Sequence, residues 1–297
     1  MPRWWQQAGA VAALLAAGAV QAYNVFPYGS GEALKWGASN QVGTPGGVVT
    51  WSLMPDGTPL DPLVSGLGFS GTSDLSSVFA QVGGSAAAMP WIQAAFTAWS
   101  AVANVQFVQV TESGSLPFGA AYGGLPVVGS IRIGAFAFAP GDTTAAVGYA
   151  APPNGGTTLE GDIIFNTSNL FRIAPGQEGD LYELYPASSG FFYTNDLPGL
   201  FAHELGHALG MAHSAVGNSL MCGYVNAGAD GSQCGWWDAD GDGKAPILRL
   251  PKLDDIAGIQ FLYGAAPVPE PSTAMTLLAG LGLVAWRRRR WAQAPRG

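Results

Sequence analysis

His203-Glu204-Leu205-Gly206-His207-Ala208-Leu209-Gly210-Met211-Ala212-His213 holds all three histidines of a 297-residue chain within eleven positions. Residues four apart on a helix share a face, so His203 and His207 present both imidazoles to one side, at the spacing that shares one Zn²⁺. Glu204 stands beside the first ligand, placed to take a proton from a water on the metal. Gly210 marks where the chain leaves the helix, because a residue without Cβ turns sharply at little steric cost. That turn brings His213 round as a third ligand. Three protein ligands leave a fourth position open for water, which is the catalytic and not the structural zinc arrangement. The metal lowers the pKa of that water towards about 7 and polarises a scissile carbonyl, with Glu204 as general base and proton shuttle.

The two ends are set aside from the fold. Residues 1–22 carry Arg3, an apolar run from Ala8 to Val20 and then Gln21-Ala22. This predicts a secretory signal peptide cut after Ala22; the run is shorter than the roughly 18 apolar residues of a membrane anchor. The far end, 267–297, contains Pro269-Glu270-Pro271, an apolar run from Thr273 to Trp286 and Arg287-Arg288-Arg289-Arg290. Read alone, it is a short C-terminal transmembrane helix with its basic cluster left on the cytoplasmic side. It resembles the PEP-CTERM sorting signal of Gram-negative bacteria, which implies recognition and removal by an exosortase, after signal peptidase has acted at the other end. Contact with the membrane is then transient, and the protein ends outside the cell or on its surface.

Between the ends, residues 23–266 hold six Lys+Arg against 19 Asp+Glu, six minus nineteen giving −13. That balance excludes nucleic acid and anionic membrane as natural partners and suits an exported protein. About 244 residues form a sizeable core, and with no repeat or linker in view one domain is expected. The 43 glycines and sparse charge predict short strands and many turns. Strands are expected at Val48–Leu53, Val105–Val110, Ser130–Gly134 and Gly161–Asn166. Helices are expected over Met89–Val102, with Trp91, Ala95, Ala98, Trp99 and Val102 on one face, and over Pro198–Gly210, capped by Asp196 or Thr194. A last helix starts at Pro251, buries Leu253, Ile256, Ile259 and Leu262, and stops at Gly264. Residues 60–87 are Gly/Ser-rich and read as a loop or insertion.

Two further features bear on stability. Cys222 and Cys234, in an exported chain, are read as a disulfide closing a 13-residue loop worth roughly 3 kcal/mol; buried free thiols are the alternative. Asp238-Ala239-Asp240-Gly241-Asp242-Gly243 gives the oxygen-rich start of a Ca²⁺ loop. Its twelfth position is Arg249, not the bidentate Glu of a complete EF-hand, and an acidic solvated turn is the other reading.

The zinc motif, Met221 eight residues after His213, and Ser214 directly after the last His together resemble the metzincins, and among them the matrixins. The likeness extends to the helix around Trp91–Trp99, the Gly161-Asp162-Ile163-Ile164-Phe165 strand and the closing Leu253–Gly264 segment. It implies an α+β zincin (metzincin) fold: a twisted mixed β-sheet packed with an N-terminal helix, an active-site helix and a C-terminal helix. Met221 is then a Met-turn under the metal, and Gly148, Tyr149 and Ala150 are the edge that takes a peptide as an added strand. Departures are as informative. Ile164 stands where the family's second, structural zinc has a His, and no other His exists; no Cys precedes the helix to serve as a cysteine switch. Tyr224, three after the Met, reads as structural. The chain is expected to be a secreted zinc metalloendopeptidase acting on protein or peptide substrates. The alternative is a non-catalytic metal-binding matrix or surface protein, which would have no need of Glu204.

Overall fold

Ile131-Arg132-Ile133-Gly134-Ala135-Phe136-Ala137-Phe138 alternates, and the alternation assigns both faces of the central sheet. The computed structural model describes residues 23–112, 116–121, 129–154, 156–186, 193–223 and 242–267. In chain order these form β1 (Asn24–Val25), β2 (Pro27–Gly29), β3 (Glu32–Ala33), β4 (Gly47–Leu53), β5 (Phe69–Ser70), α1 (Leu75–Ala80), α2 (Ser85–Val102), β6 (Val105–Gln109) and β7 (Ile131–Phe138). They continue with β8 (Ala146–Gly148), β9 (Ile163–Asn166), β10 (Leu170–Arg172), β11 (Leu181–Glu183), β12 (Thr194–Asp196), α3 (Leu197–Ala208), β13 (Met211–Ala212), β14 (Lys244–Pro246) and α4 (Leu253–Tyr263). The main sheet runs β6-β4-β7-β9-β8, parallel except for β8, with β5 added antiparallel on the far end of β7. It is the mixed sheet of an α+β metzincin fold.

Ile131, Ile133 and Ala135 of β7, with Ile163 and Phe165 of β9, face the main core, where α2 and α3 cover the sheet. Phe96 of α2 stacks on Trp51 at 4.6 Å between ring centroids and meets Phe201 of α3 edge-on at 5.6 Å. Trp99 donates its indole N–H to the Ala202 carbonyl at 3.0 Å, so a large buried ring keeps its polar handle satisfied. The alternate residues Phe136, Phe138 and Ile164 point the other way, into a second apolar cluster with Met54, Val64 and Phe118. On that face Arg132 is fully buried and pairs with Glu112, Nε to Oε1 at 2.8 Å and Nη2 to Oε2 at 3.0 Å.

Several expected elements shift. Residues 60–87 are not a plain loop: Asp74 caps α1 by accepting the Ser77 N–H, and α1 buries Leu75, Val78 and Phe79 in the main core. Helix α2 begins at Ser85, since Ser85-Ala86-Ala87-Ala88 ahead of Met89 carries good helix formers. Its core face is Ala88, Ile92, Ala95, Phe96 and Trp99, one residue round from the predicted stripe, which leaves Trp91 half-buried. Helix α4 starts at Leu253, two residues after Pro251, and Leu253 is 87 % exposed while Asp255 is buried. The reason lies at the site described next. Residues 1–22, Tyr224, Cys234, Asp238, Asp240 and 268–297 lie outside the described residues. Among the described residues no helix is long and apolar enough to cross a membrane.

Candidate metal centre

Helix α3 is buried along its whole length, so both of its ends need partners from the protein. At the N-terminus Asp196 accepts the Gly199 N–H at 3.1 Å and the Ala174 N–H at 2.8 Å. The same carboxylate takes a two-pronged bond from Arg249, Nε and Nη2 each at 2.8 Å, while the guanidinium lies over the Trp91 ring. Arg249, expected to end an incomplete calcium loop, therefore serves the N-terminus of α3. At the C-terminus the free carbonyls of Ala208 and Leu209 are taken by Trp36 Nε1 at 2.8 Å and Tyr263 OH at 2.7 Å. Gly210 follows with φ of 99°, and a Cβ there would overlap the Leu34 carbonyl oxygen. The turn predicted at Gly210 thus has two causes, the left-handed backbone and the close approach of residue 34.

The chain leaves that turn as β13, pairs antiparallel with β1, and delivers His213 to the other two imidazoles. His213 Nε2 lies 3.3 Å from His203 Nε2 and 3.1 Å from His207 Nε2. Ligand nitrogens about 2.05 Å from a tetrahedral zinc are separated by roughly 3.3 Å, which these two separations match, and all three ligand atoms lie within 4.8 Å of one another. The tautomers agree: His203 Nδ1 donates to the Leu220 carbonyl at 2.7 Å and His207 Nδ1 to the Met211 carbonyl at 2.8 Å. Each ring then turns a bare Nε2 lone pair inwards, as metal-ligating histidines do. Burial, and then the neighbouring His207, holds His203 well below the usual imidazole range; burial pushes His207 down to about 4 and lowers His213. The bare lone pairs of His203 and His207 both point at Nε2 of His213, and a cation between the three rings would satisfy all of them. These residues could hold a metal ion.

Glu204 is 6 % exposed, and burial raises its carboxyl to about 8. Its Oε2 accepts the Gly148 N–H at 2.6 Å. Gly148 closes β8, the outer strand of the sheet, and a Cβ on it would collide with the main chain of Glu204. Tyr149 N–H to the Asp162 carbonyl at 2.9 Å and Gly161 N–H to the Ala150 carbonyl at 3.1 Å carry the pairing on to residue 150. Gly148, Tyr149 and Ala150 are thus brought to the sheet edge beside Glu204.

Met221 is fully buried with its sulfur against Gly206, inside the main core. The turn that carries it is held by Asp255, whose carboxylate accepts Ser219 Oγ at 2.5 Å, Leu220 N–H at 2.8 Å and Met221 N–H at 3.0 Å. This explains the rotation of α4: its first turn faces the Met221 turn with a carboxylate, so Leu253 is turned out to solvent. Asp254 beside it accepts Ser214 Oγ at 2.6 Å. Cys222 is buried, and no free thiol is found among the described residues. Asp242, the last of the expected calcium ligands, accepts the Lys244 N–H at 2.8 Å. Sequence reasoning missed Asp255 and Arg249; the Asp254-Asp255 pair in the first turn of the last helix was the available signal for the former.

Comparison with known proteins agrees with this geometry. A family model for matrixins, peptidase family M10, matches residues 84–264, and a model of the PEP-CTERM protein-sorting motif matches 267–290. Human matrix metalloproteinase-15 is 35 % identical over 110 residues, covering 35 % of this chain and 14 % of that protein. Metalloendoproteinase 5-MMP of Arabidopsis thaliana is 30 % identical over 183 residues, 58 % of this chain and 38 % of its own length. Serralysin B of Dickeya chrysanthemi is 37 % identical over 76 residues, 22 % of this chain and 16 % of that protein. The chain spans less than two fifths of the length of each of these relatives. With a matching model over most of the folded part and the histidine triad in place, the chain belongs to the matrixin family of zinc-dependent metallopeptidases.

Proposed function

We propose that this protein is a secreted endopeptidase that uses one zinc ion, held by His203, His207 and His213, with Glu204 as its general base. The observation that carries the proposal is the convergence of the three histidine Nε2 atoms, those of His203 and His207 lying 3.3 and 3.1 Å from that of His213, together with the buried carboxyl of Glu204. A divalent zinc in that set supplies Lewis-acid activation of water and of the scissile carbonyl. The protein's own groups do the rest. Gly148 N–H fixes Oε2 of Glu204 and leaves Oε1 without a hydrogen bond among the described residues, free to accept a proton from the attacking water. A cation nearby favours the ionised carboxyl, offsetting the burial that raises it, so Glu204 is a base when the site is loaded. Having taken the proton, it passes it to the leaving amine. Met221 floors the histidines.

A peptide joins the outer edge of β8 as an added strand, main-chain bonds giving affinity and side-chain pockets giving choice. Processing removes residues 1–22 and the tail from about 267, leaving a single domain over 23–266 outside the cell. Cys222 pairs with Cys234, the chain's only other cysteine. Asp238, Asp240 and Asp242 form a calcium loop that ties down the segment between the Met221 turn and α4. The experiment is hydrolysis of casein with and without a chelator, with Glu204→Ala as control. Chelator-sensitive hydrolysis that the variant lacks supports the proposal; no activity in the zinc-loaded wild type leaves only a metal-binding surface protein.

A further inference from the structure

Two of the three imidazoles are steered by a hydrogen bond on the ring nitrogen that faces away from the metal set, His203 to Leu220 and His207 to Met211. His213 has no such partner among the described residues, and it is the exposed member of the triad. Besides its contacts with the other two imidazoles, its ring is held through its main chain. There Asn24 Nδ2 donates to the His213 carbonyl at 2.8 Å, across 189 positions of sequence.

Asn24 belongs to a short strap laid along the whole metal loop. Asn24 is opposite Ala212 and Val25 opposite Met211 in an antiparallel ladder. Phe26 N–H donates to the Gly210 carbonyl at 3.0 Å, and the Phe26 ring lies 5.9 Å from that of His207. The strap is tied back to the body where Leu34 N–H meets the Phe26 carbonyl at 2.9 Å and where Tyr23 packs on Phe261 of α4 at 5.8 Å. Strand ladders can be built from any main chain, and asparagine is a poor strand former. An asparagine at this position therefore contributes what the ladder does not, a side-chain donor aimed one residue further, at the ligand itself.

We infer that Asn24 is a positioning residue for the metal centre, its carboxamide fixing the His213 main chain in place of the ring hydrogen bond that the other two ligands receive. The inference rests on the three histidines holding zinc. Partners of this outer kind typically change metal affinity by about 10- to 100-fold. The test uses the full chain loaded with zinc and follows release into a chromogenic chelator for wild type, Asn24→Asp and Asn24→Ala. The first variant keeps the volume and loses the donor; the second also removes any charge effect. Gln81→Ala, which removes side-chain bonds to Asn169 and Phe171 far from the metal, controls for plain loss of stability.

Release from both Asn24 variants should be about 10-fold faster than from wild type, with Gln81→Ala within twofold of it. The gap between zinc-loaded and zinc-free melting temperatures should narrow in the Asn24 variants alone, a readout that survives a less stable variant. Release within twofold of wild type and an unchanged gap in both Asn24 variants overturn the inference while leaving the zinc site standing. A wild-type chain that holds no zinc overturns both.

Discussion

Glu204 is a carboxyl forced into a buried position beside three imidazoles, and the folded protein carries the consequence as a dependence on pH. Without metal its folded pKa is about 8 against an ordinary 4.5. The folded state thus holds the proton more tightly than the unfolded one, and the stability this group contributes is full below pH 4.5 and is lost as pH rises towards 8. Glu204→Gln has no proton to lose. In the zinc-free form the stability of Glu204→Gln relative to wild type should therefore grow from pH 4.5 to 8, measured by denaturant titration at several pH values; a flat or falling difference contradicts the burial argument. In the zinc-loaded form the same variant should keep its metal and lose about 10²- to 10⁴-fold in kcat, the usual size of a general acid–base contribution. Gly148 is the matching backbone position. Gly148→Ala pushes β8 off the main chain of Glu204, and peptidase assays together with thermal melts should show both activity and stability falling.

Two elements are held in register by single charged side chains far away in sequence. Asp196 starts α3 and is gripped by Arg249, both largely buried at 3 % and 10 % side-chain exposure. Removing one partner of such a pair leaves a buried charge uncompensated. Arg249→Met should cost about 3 kcal/mol and lower the melting temperature by roughly 10 °C, more than removing the half-buried Asp61, which caps only a short 3₁₀ turn. Asp255 does the same for the Met221 turn, and Asp255→Asn should weaken zinc retention, read by elemental analysis after dialysis, as well as stability. Why these were illegible follows from their geometry. His203, Glu204 and His207 announce themselves because helical spacing puts neighbours in sequence on one face. Arg249, Asp255 and Asn24 reach the site across 53, 34 to 36 and 189 positions, and no periodicity links such pairs. The same limit turned the α2 stripe by one residue: the predicted face counted Trp91 as core, whereas stacking under Arg249 keeps it at the margin.

For the molecule as a whole, the histidine count is the controlling fact. The outer face of β9, where Ile164 stands, is filled by Phe136, Phe118, Met54, Val64 and Phe138. Fully burying one such side chain is worth about 1.5–3 kcal/mol, so this cluster stabilises the outer face by apolar burial. Ile164 was visible in the sequence; the cluster it joins was not, because Phe118, Met54 and Val64 come from segments with no clear pattern. The leading apolar segment and the sorting segment together predict a processed protein that begins at Tyr23 and ends near residue 267, a pair of termini that intact mass spectrometry of the secreted material would read directly. The most direct test of the account is the zinc content of the purified wild-type chain by elemental analysis. The account predicts about one zinc per chain, abolished when His213 is replaced by Ala; a value near zero, or near two, contradicts it.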